Sequence, residues 1–335
     1  MRRLLSSALF AGFAGALFSA GAAQAGCELE KVVTLPAKID NGRVFIPGAM
    51  DGHPVDYMVD LASRTMLLRV AAEAFTVKPT PTGTLDKLAV FGEAAPDQMK
   101  VEHLPIHLGG TAINFGAPQQ VALLGIDFFA NYDVEYDVPH GKITLYKPTG
   151  CEKAKLAYWP GPVTVADMVA NGVGANIPPF TPYNFPHMNI RIKVHGQDMV
   201  AALDSGYAQS SMSLPSAHSV GLTVGGEGMV ETAPTVDVVD GYSNPTWLGT
   251  VDSIDLGGEI ISSAKIRFHS FMVPPGAREA RTGTSVRPSR YHGADLMLGA
   301  DFLIAHRIMV SQSQTKIYFS PAAGADFLGN ALSGN

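Results

Sequence analysis

Gly196-Gln197-Asp198-Met199-Val200-Ala201-Ala202-Leu203-Asp204-Ser205-Gly206 reads as a turn glycine, an apolar strand and a carboxylate set among small residues. Far downstream, Met297-Leu298-Gly299-Ala300-Asp301-Phe302 adds two apolar residues, a glycine and an Asp-Phe pair. The first half of the chain carries the same series. There Gly52 leads through Tyr57-Met58-Val59-Asp60-Leu61-Ala62-Ser63, and Leu123-Leu124-Gly125-Ile126-Asp127-Phe128 follows. The glycine precedes the aspartate by eight residues in both copies. A period near 144 residues implies two duplicated lobes, not a solenoid of short repeats. Two copies of one carboxylate-bearing unit point to a site made from two carboxylates.

The rest of the chain is patterned for strands. Val44–Ile46, Val55–Val59, Val134–Tyr136, Ile143–Tyr146, Met188–Val194, Met199–Leu203, Ile266–Phe268 and Ile317–Phe319 are short apolar or alternating runs. Asp51-Gly52 and His195-Gly196 sit between such runs, where glycine supplies the positive φ of a tight hairpin. The 35 glycines and 23 prolines break the chain into short segments. Helical patterning is limited to Ala71–Phe75, Val163–Ala170 and Phe302–His306. A further echo pairs Leu108-Gly109-Gly110 with Leu256-Gly257-Gly258. The reading is all-β with two similar lobes: 26–150, a loop-rich linker 151–185, 186–325, and a tail 326–335.

Arg2 and Arg3 precede an apolar run from Leu4 to Ala22 that closes on Ala23-Gln24-Ala25, so residues 1–25 read as a secretory signal peptide. Export predicts a periplasmic or secreted protein with no integral membrane span after cleavage; a membrane anchor or a lipoprotein at Cys27 is the competing reading. In an oxidising compartment the only two cysteines, Cys27 and Cys151, form an expected disulfide, with two buried thiols as the alternative. The net charge is −6, and the leader holds two of the basic residues, which argues against nucleic acid or an anionic membrane surface as partner.

These motifs resemble those of the retropepsin-like and pepsin-like aspartic peptidases, and of bacterial exported proteins with two such lobes in one chain. The resemblance covers nearly the whole mature chain. It implies two similar six-stranded-type acid-protease β-barrel lobes with a cleft between them. Asp204-Ser205-Gly206 matches the family's Asp-Thr/Ser-Gly turn, and Met297-Leu298-Gly299 and Leu123-Leu124-Gly125 match the apolar-apolar-Gly element beneath it. Asp60-Leu61-Ala62-Ser63 departs from the pattern, since Leu61 replaces the hydroxyl residue and Ala62 the glycine.

The resemblance implies a catalytic pair, Asp60 and Asp204, supported by Ser63, Ser205, Gly206, Gly125 and Gly299, acting on a polypeptide without a cofactor or metal. Two carboxyls about 3 Å apart do not both ionise, so one holds a proton while the other activates water. The competing reading, raised by Leu61-Ala62, is a weakened or inactive relative that binds a peptide or envelope component in the cleft. Tyr242 and Trp247 lie where the family places a flap over the substrate; the alternative is an aromatic hairpin packed on its own lobe. Asp127 and Asp301 read as caps of short helices. His103 and His107 lie in a strand-like run, without metal-ligand spacing. Arg278, Arg281, Arg287 and Arg290 mark the stretch Pro274–His292, without counterpart in the first lobe, as a solvated basic insertion.

Overall fold

The structure is a computed structural model that describes residues 26–50, 53–74, 84–91, 98–109, 120–169, 188–236, 243–271 and 294–331. Residues 1–25, read above as a signal peptide, Gly52, the Arg-bearing stretch 274–292 and the residues beyond 331 lie outside the described residues.

Every strand expected from the apolar runs forms. In the first lobe, β2 (Lys38–Asp40), β3 (Arg43–Met50), β4 (His53–Asp60), β5 (Met66–Leu68), β6 (Thr84–Phe91), β7 (Gln98–Gly109) and β8 (Ala122–Gly125) make one sheet. Its order is β2-β3-β4-β8-β5-β7-β6, and a β3–β6 pairing closes it. In the second lobe, β12 (Asn189–Val194), β13 (Gln197–Leu203), β14 (Ser211–Ser213), β15 (Val230–Val236), β16 (Ser243–Asp255), β17 (Ile260–His269) and β18 (Leu296–Leu298) run in the order β12-β13-β18-β14-β17-β16-β15, closed by β12–β16. From the hairpin that leads into each aspartate to the closing pair, the two orders correspond strand for strand, and β15 is additional. This is the all-β, two-lobed acid-protease architecture.

A shared sheet joins the lobes. It contains β1 (Glu28–Pro36), β9 (Asp133–Asp137), β10 (Lys142–Thr149), β11 (Thr164–Val169), β19 (His306–Ser311) and β20 (Lys316–Pro321), in the order β1-β10-β9-β19-β20-β11. The seam between the halves is the antiparallel β9–β19 pair, with Tyr136 opposite Ile308 and Val134 opposite Val310. All four side chains lie in one hydrophobic core that continues into both lobes. Alternation explains the lobe strands: Ile190, Ile192 and Val194 of β12 point inward while Arg191 and Lys193 face water.

Two expectations are corrected. Within the run Val163–Ala170, Thr164–Val169 is not helix but strand β11, which pairs with β20 through Thr164↔Phe319 and with β12 through Met168↔Ile190. A run this short is ambiguous by periodicity, and two strands with open edges decide it. It also places a strand within the stretch read as a loop-rich linker. Second, the two Leu-Gly-Gly runs are not equivalent. Gly109 ends β7, opposite Leu68, whereas Gly257-Gly258 is the turn between β16 and β17. Composition matched them; register separates them. The helices α1 (Arg69–Ala74) and α4 (Ala300–Ala305) overlap two of the expected helical runs, but His306 already begins β19; α2 (Ile126–Phe129) and α3 (Leu214–Ser219) complete the set among the described residues.

Cys27 and Cys151 form the disulfide, with Cα atoms 4.4 Å apart, at the open end of the β1–β10 pair. After Cys151 the chain lies on the outer face of the shared sheet, where Ala154, Leu156, Ala157 and Trp159 pack on Tyr146, Met309 and Tyr318. Arg307 of β19 donates to Glu135 of β9 at 2.6 Å and lies 4.7 Å from the Trp159 ring centre. Among the described residues no helix is long and apolar enough to cross a membrane.

The disulfide closes a sequence separation of 124 residues. On the chain-entropy model it contributes about 4 to 5 kcal/mol. Reduction, or Cys151→Ser, is expected to lower the urea midpoint by a correspondingly large amount, and an unchanged midpoint would count against any stabilising role.

Candidate active site

Each aspartate is delivered by the same local arrangement. β4 runs parallel to β8, with Asp60 opposite Gly125, and β13 runs parallel to β18, with Leu203 opposite Leu298. The Asp204 N–H continues that ladder to the Leu298 carbonyl at 2.8 Å. Parallel neighbours end together, so each carboxylate emerges at the end of a buried strand pair. Each then closes the same Asx turn: Ala62 N donates to Asp60 Oδ1 at 3.0 Å, and Gly206 N to Asp204 Oδ1 at 3.2 Å. Both aspartates are 2% exposed.

The apolar-apolar-Gly elements support these turns by close backbone approach. A Cβ on Gly125 would lie 2.3 Å from the Arg64 carbonyl carbon and 2.5 Å from the Ser63 oxygen. On Gly299 it would lie 2.6 Å from the carbonyl carbon of Gln209. Only glycine fits either position. Ser63 contributes through its backbone, its carbonyl accepting from Ile126 N at 2.9 Å, and Tyr207 does the same for Ala300 N at 2.7 Å.

A second layer was not identified from the sequence. Thr65 Oγ1 accepts from Gly125 N at 3.0 Å and donates to Asp127 Oδ1 at 2.8 Å. Ser210 Oγ accepts from Gly299 N at 3.0 Å and donates to Asp301 Oδ1 at 2.6 Å. Asp127 and Asp301 are therefore latches and not the helix caps expected, since the N-cap positions are Gly125 and Gly299, which have no side chain to cap with. Each accepts an N–H of its own helix, from Phe128 and Phe302, and also holds the loop that follows the paired aspartate. The available signal was a hydroxyl residue shortly after each aspartate together with the repeated Gly-x-Asp-Phe. Burial pushes the Asp301 carboxyl up to about 6, against the pull of its Ser210 and Phe302 hydrogen bonds.

The two turns meet at Ser205 and Gly206. Ser205 Oγ donates to the Val59 carbonyl at 2.8 Å and accepts from Leu61 N at 3.1 Å, so one buried hydroxyl spans the lobes. The reciprocal bond has no hydroxyl to make it, because position 61 is leucine, whose side chain is instead wholly buried in the core. Gly206 lies against the opposite carboxylate. A Cβ there would be 2.8 Å from Asp60 Oδ2, while its own N–H serves Asp204. Arg43, partly buried at the start of β3, adds a 3.4 Å bond from Nε to the Gly206 carbonyl.

Trp247 sits on β16, half-buried against the core of its own lobe, and opposite Glu231 of β15. Tyr242, with the rest of 237–242, lies outside the described residues. Among the described residues no cluster of three or more His, Cys, Asp or Glu side chains could hold a metal.

Solved structures similar to this chain include an aspartic proteinase from Irpex lacteus, at 10% identity and a TM-score of 0.45 over 89% of this chain and 99% of that one. Basic 7S globulin from soybean aligns at 10% identity and 0.44 over 92% and 100%. A retropepsin-like aspartic protease from Rickettsia conorii aligns at 12% identity and 0.28, over 48% of this chain and 99% of its own. No family model and no curated protein matches the sequence.

Ser205→Ala is expected to destabilise the fold by about 2 to 4 kcal/mol, since it strands a buried carbonyl and a buried N–H. Ser205→Thr retains the hydroxyl and most of the stability, which denaturant unfolding of the pair would measure. For Asp301 the folded pKa of about 6 lies above the usual carboxylate value of 3.8. Its contribution to stability is therefore full below about pH 4 and lost as pH rises through about 6. Asp301→Asn should flatten that decline in a series of unfolding curves across the interval.

Proposed function

We propose that the chain is an aspartic-type endopeptidase in which Asp60 and Asp204 share one proton and activate a water against a peptide bond. The observation that carries this reading is that both carboxyls border one residue. Gly206 gives its N–H to Asp204 and leaves the space that Asp60 occupies. Two buried carboxyls that border the same glycine repel when both are ionised, so a single proton between them is the favoured state.

The chemistry follows from that state. The ionised carboxyl removes a proton from water as the oxygen attacks the substrate carbonyl carbon, while the protonated carboxyl gives its proton to the carbonyl oxygen. The resulting gem-diol collapses with the C–N bond breaking. The amine nitrogen takes up a proton, and the pair returns to its singly protonated form. No bond forms between protein and substrate. Ser205 holds the two turns at a fixed separation, as such acid–base work requires.

A second reading, that of a weakened or inactive protein that binds a polypeptide or envelope component, is favoured by one feature. The hydroxyl bridge between the turns is made from the Ser205 side alone, with no counterpart at Leu61, and Ala62 carries a methyl where the second lobe has glycine. The proposal extends to export of the chain after cleavage at Ala25, supported by the disulfide, and to an origin of the two lobes by duplication, supported by their matching strand orders.

Cleavage of an unfolded polypeptide is expected to survive chelators and serine or cysteine reagents, and to fall about 10² to 10⁴-fold in Asp60→Asn and in Asp204→Asn. Cleavage persisting in Asp204→Asn excludes this mechanism. No cleavage by wild-type protein between acid and neutral pH, with peptide affinity indifferent to Asp204→Asn, establishes the binding reading instead.

A further inference from the structure

Arg43 is placed differently from two other partly buried arginines, Arg307 and Arg267. Arg307 is met by Glu135 and Asp137, and Arg267 by Gln209 and Thr232. Arg43 has no carboxylate partner among the described residues, and its one hydrogen bond uses Nε, at 3.4 Å to the Gly206 carbonyl. Its two terminal amino groups, four N–H donors in a planar fork, are left without a protein acceptor among those residues.

Its position makes that vacancy consequential. The β3–β4 register pairs Phe45 with Met58, which puts Arg43 at the same end of the hairpin as Asp60. The side chain crosses from the first lobe to the Asp204-Ser205-Gly206 turn of the second. The neighbouring Gly42 comes close there too, a Cβ at that position lying 3.3 Å from the Ala208 methyl. A guanidinium partly withdrawn from water, with no carboxylate bonded to it among the described residues, gains from a carboxylate arriving on a ligand, which its fork meets in bidentate geometry.

We propose that Arg43 is a specificity-determining residue that binds a carboxylate of the polypeptide held at Asp60 and Asp204, so that acidic segments are selected. The inference rests on the cleft reading above. The carboxylate could come from a Glu or Asp side chain near the scissile bond or from the C-terminus of the bound chain.

The test uses N-acetylated, C-amidated peptides carrying Glu or Gln at each position around the cleaved bond, and a third series without acidic residues but with a free C-terminus. Cleavage by wild-type protein and affinity for the Asp204→Asn protein are both read, so that selection is measured with and without chemistry. A Glu-over-Gln preference of about tenfold or more at one position is expected, falling to about one in Arg43→Met and partly kept in Arg43→Lys. A preference for the free C-terminus that Arg43→Met abolishes would assign the carboxylate to the chain end. In wild-type protein, a Glu-to-Gln ratio near one at every position together with no preference for the free C-terminus overturns the inference, whatever the variants do. So does an unchanged ratio in Arg43→Met, or a loss equal for all peptides, which would make Arg43 a clamp between lobes. Failure to bind any peptide overturns the cleft reading along with it.

Discussion

One buried hydroxyl holds the centre of this protein together. Ser205 donates to Val59 and accepts from Leu61, so the backbone that flanks Asp60 is fixed by a side chain that flanks Asp204. Neither backbone group has water to fall back on, which makes the contact obligatory and not merely favourable. The closeness of the two aspartate turns follows from it, and so does the need for glycine at position 206. Any side chain there would displace the Asp60 carboxylate.

Around that contact the two lobes repeat one solution to one problem. A carboxylate must be held at the end of a buried strand without its turn being free to move. Parallel pairing with a second strand, a glycine that admits the turn's backbone, and a hydroxyl–carboxylate latch together remove that freedom. Thr65 with Asp127, and Ser210 with Asp301, do the same work from different residues. The lobes differ where they meet: leucine at 61 contributes to the core what serine at 205 contributes to the junction.

The opposite face is secured by other means. The β9–β19 seam carries Glu135 and Arg307 across the join, and the segment after Cys151 covers them with Tyr158 and Trp159. Tyr158 donates to Glu135 at 2.6 Å, so the buried carboxylate has both a cation and a hydroxyl. The halves are thus fastened at the turns by the two hydrogen bonds of one neutral hydroxyl, with the Arg43 bond beside them, and at the sheet by a satisfied ion pair. Arg43 alone of these cations reaches toward the turns without an acid to meet it among the described residues.

The sequence by itself determined the strands, an aspartate at the same strand end in each lobe and the glycines beneath them, because period-two apolar runs and backbone crowding leave local signatures. It also placed the disulfide, through compartment and count. Only the tertiary structure decided that Thr164–Val169 is a strand, since open sheet edges and not propensity choose its state. It likewise separated the two Leu-Gly-Gly runs, which composition equates and register does not. The Thr65 and Ser210 latches and the Arg43 crossing were illegible for the same reason. Each is a pairing between residues about 60 to 160 positions apart, and no local rule of spacing encodes a contact made only when separate strands are brought into register.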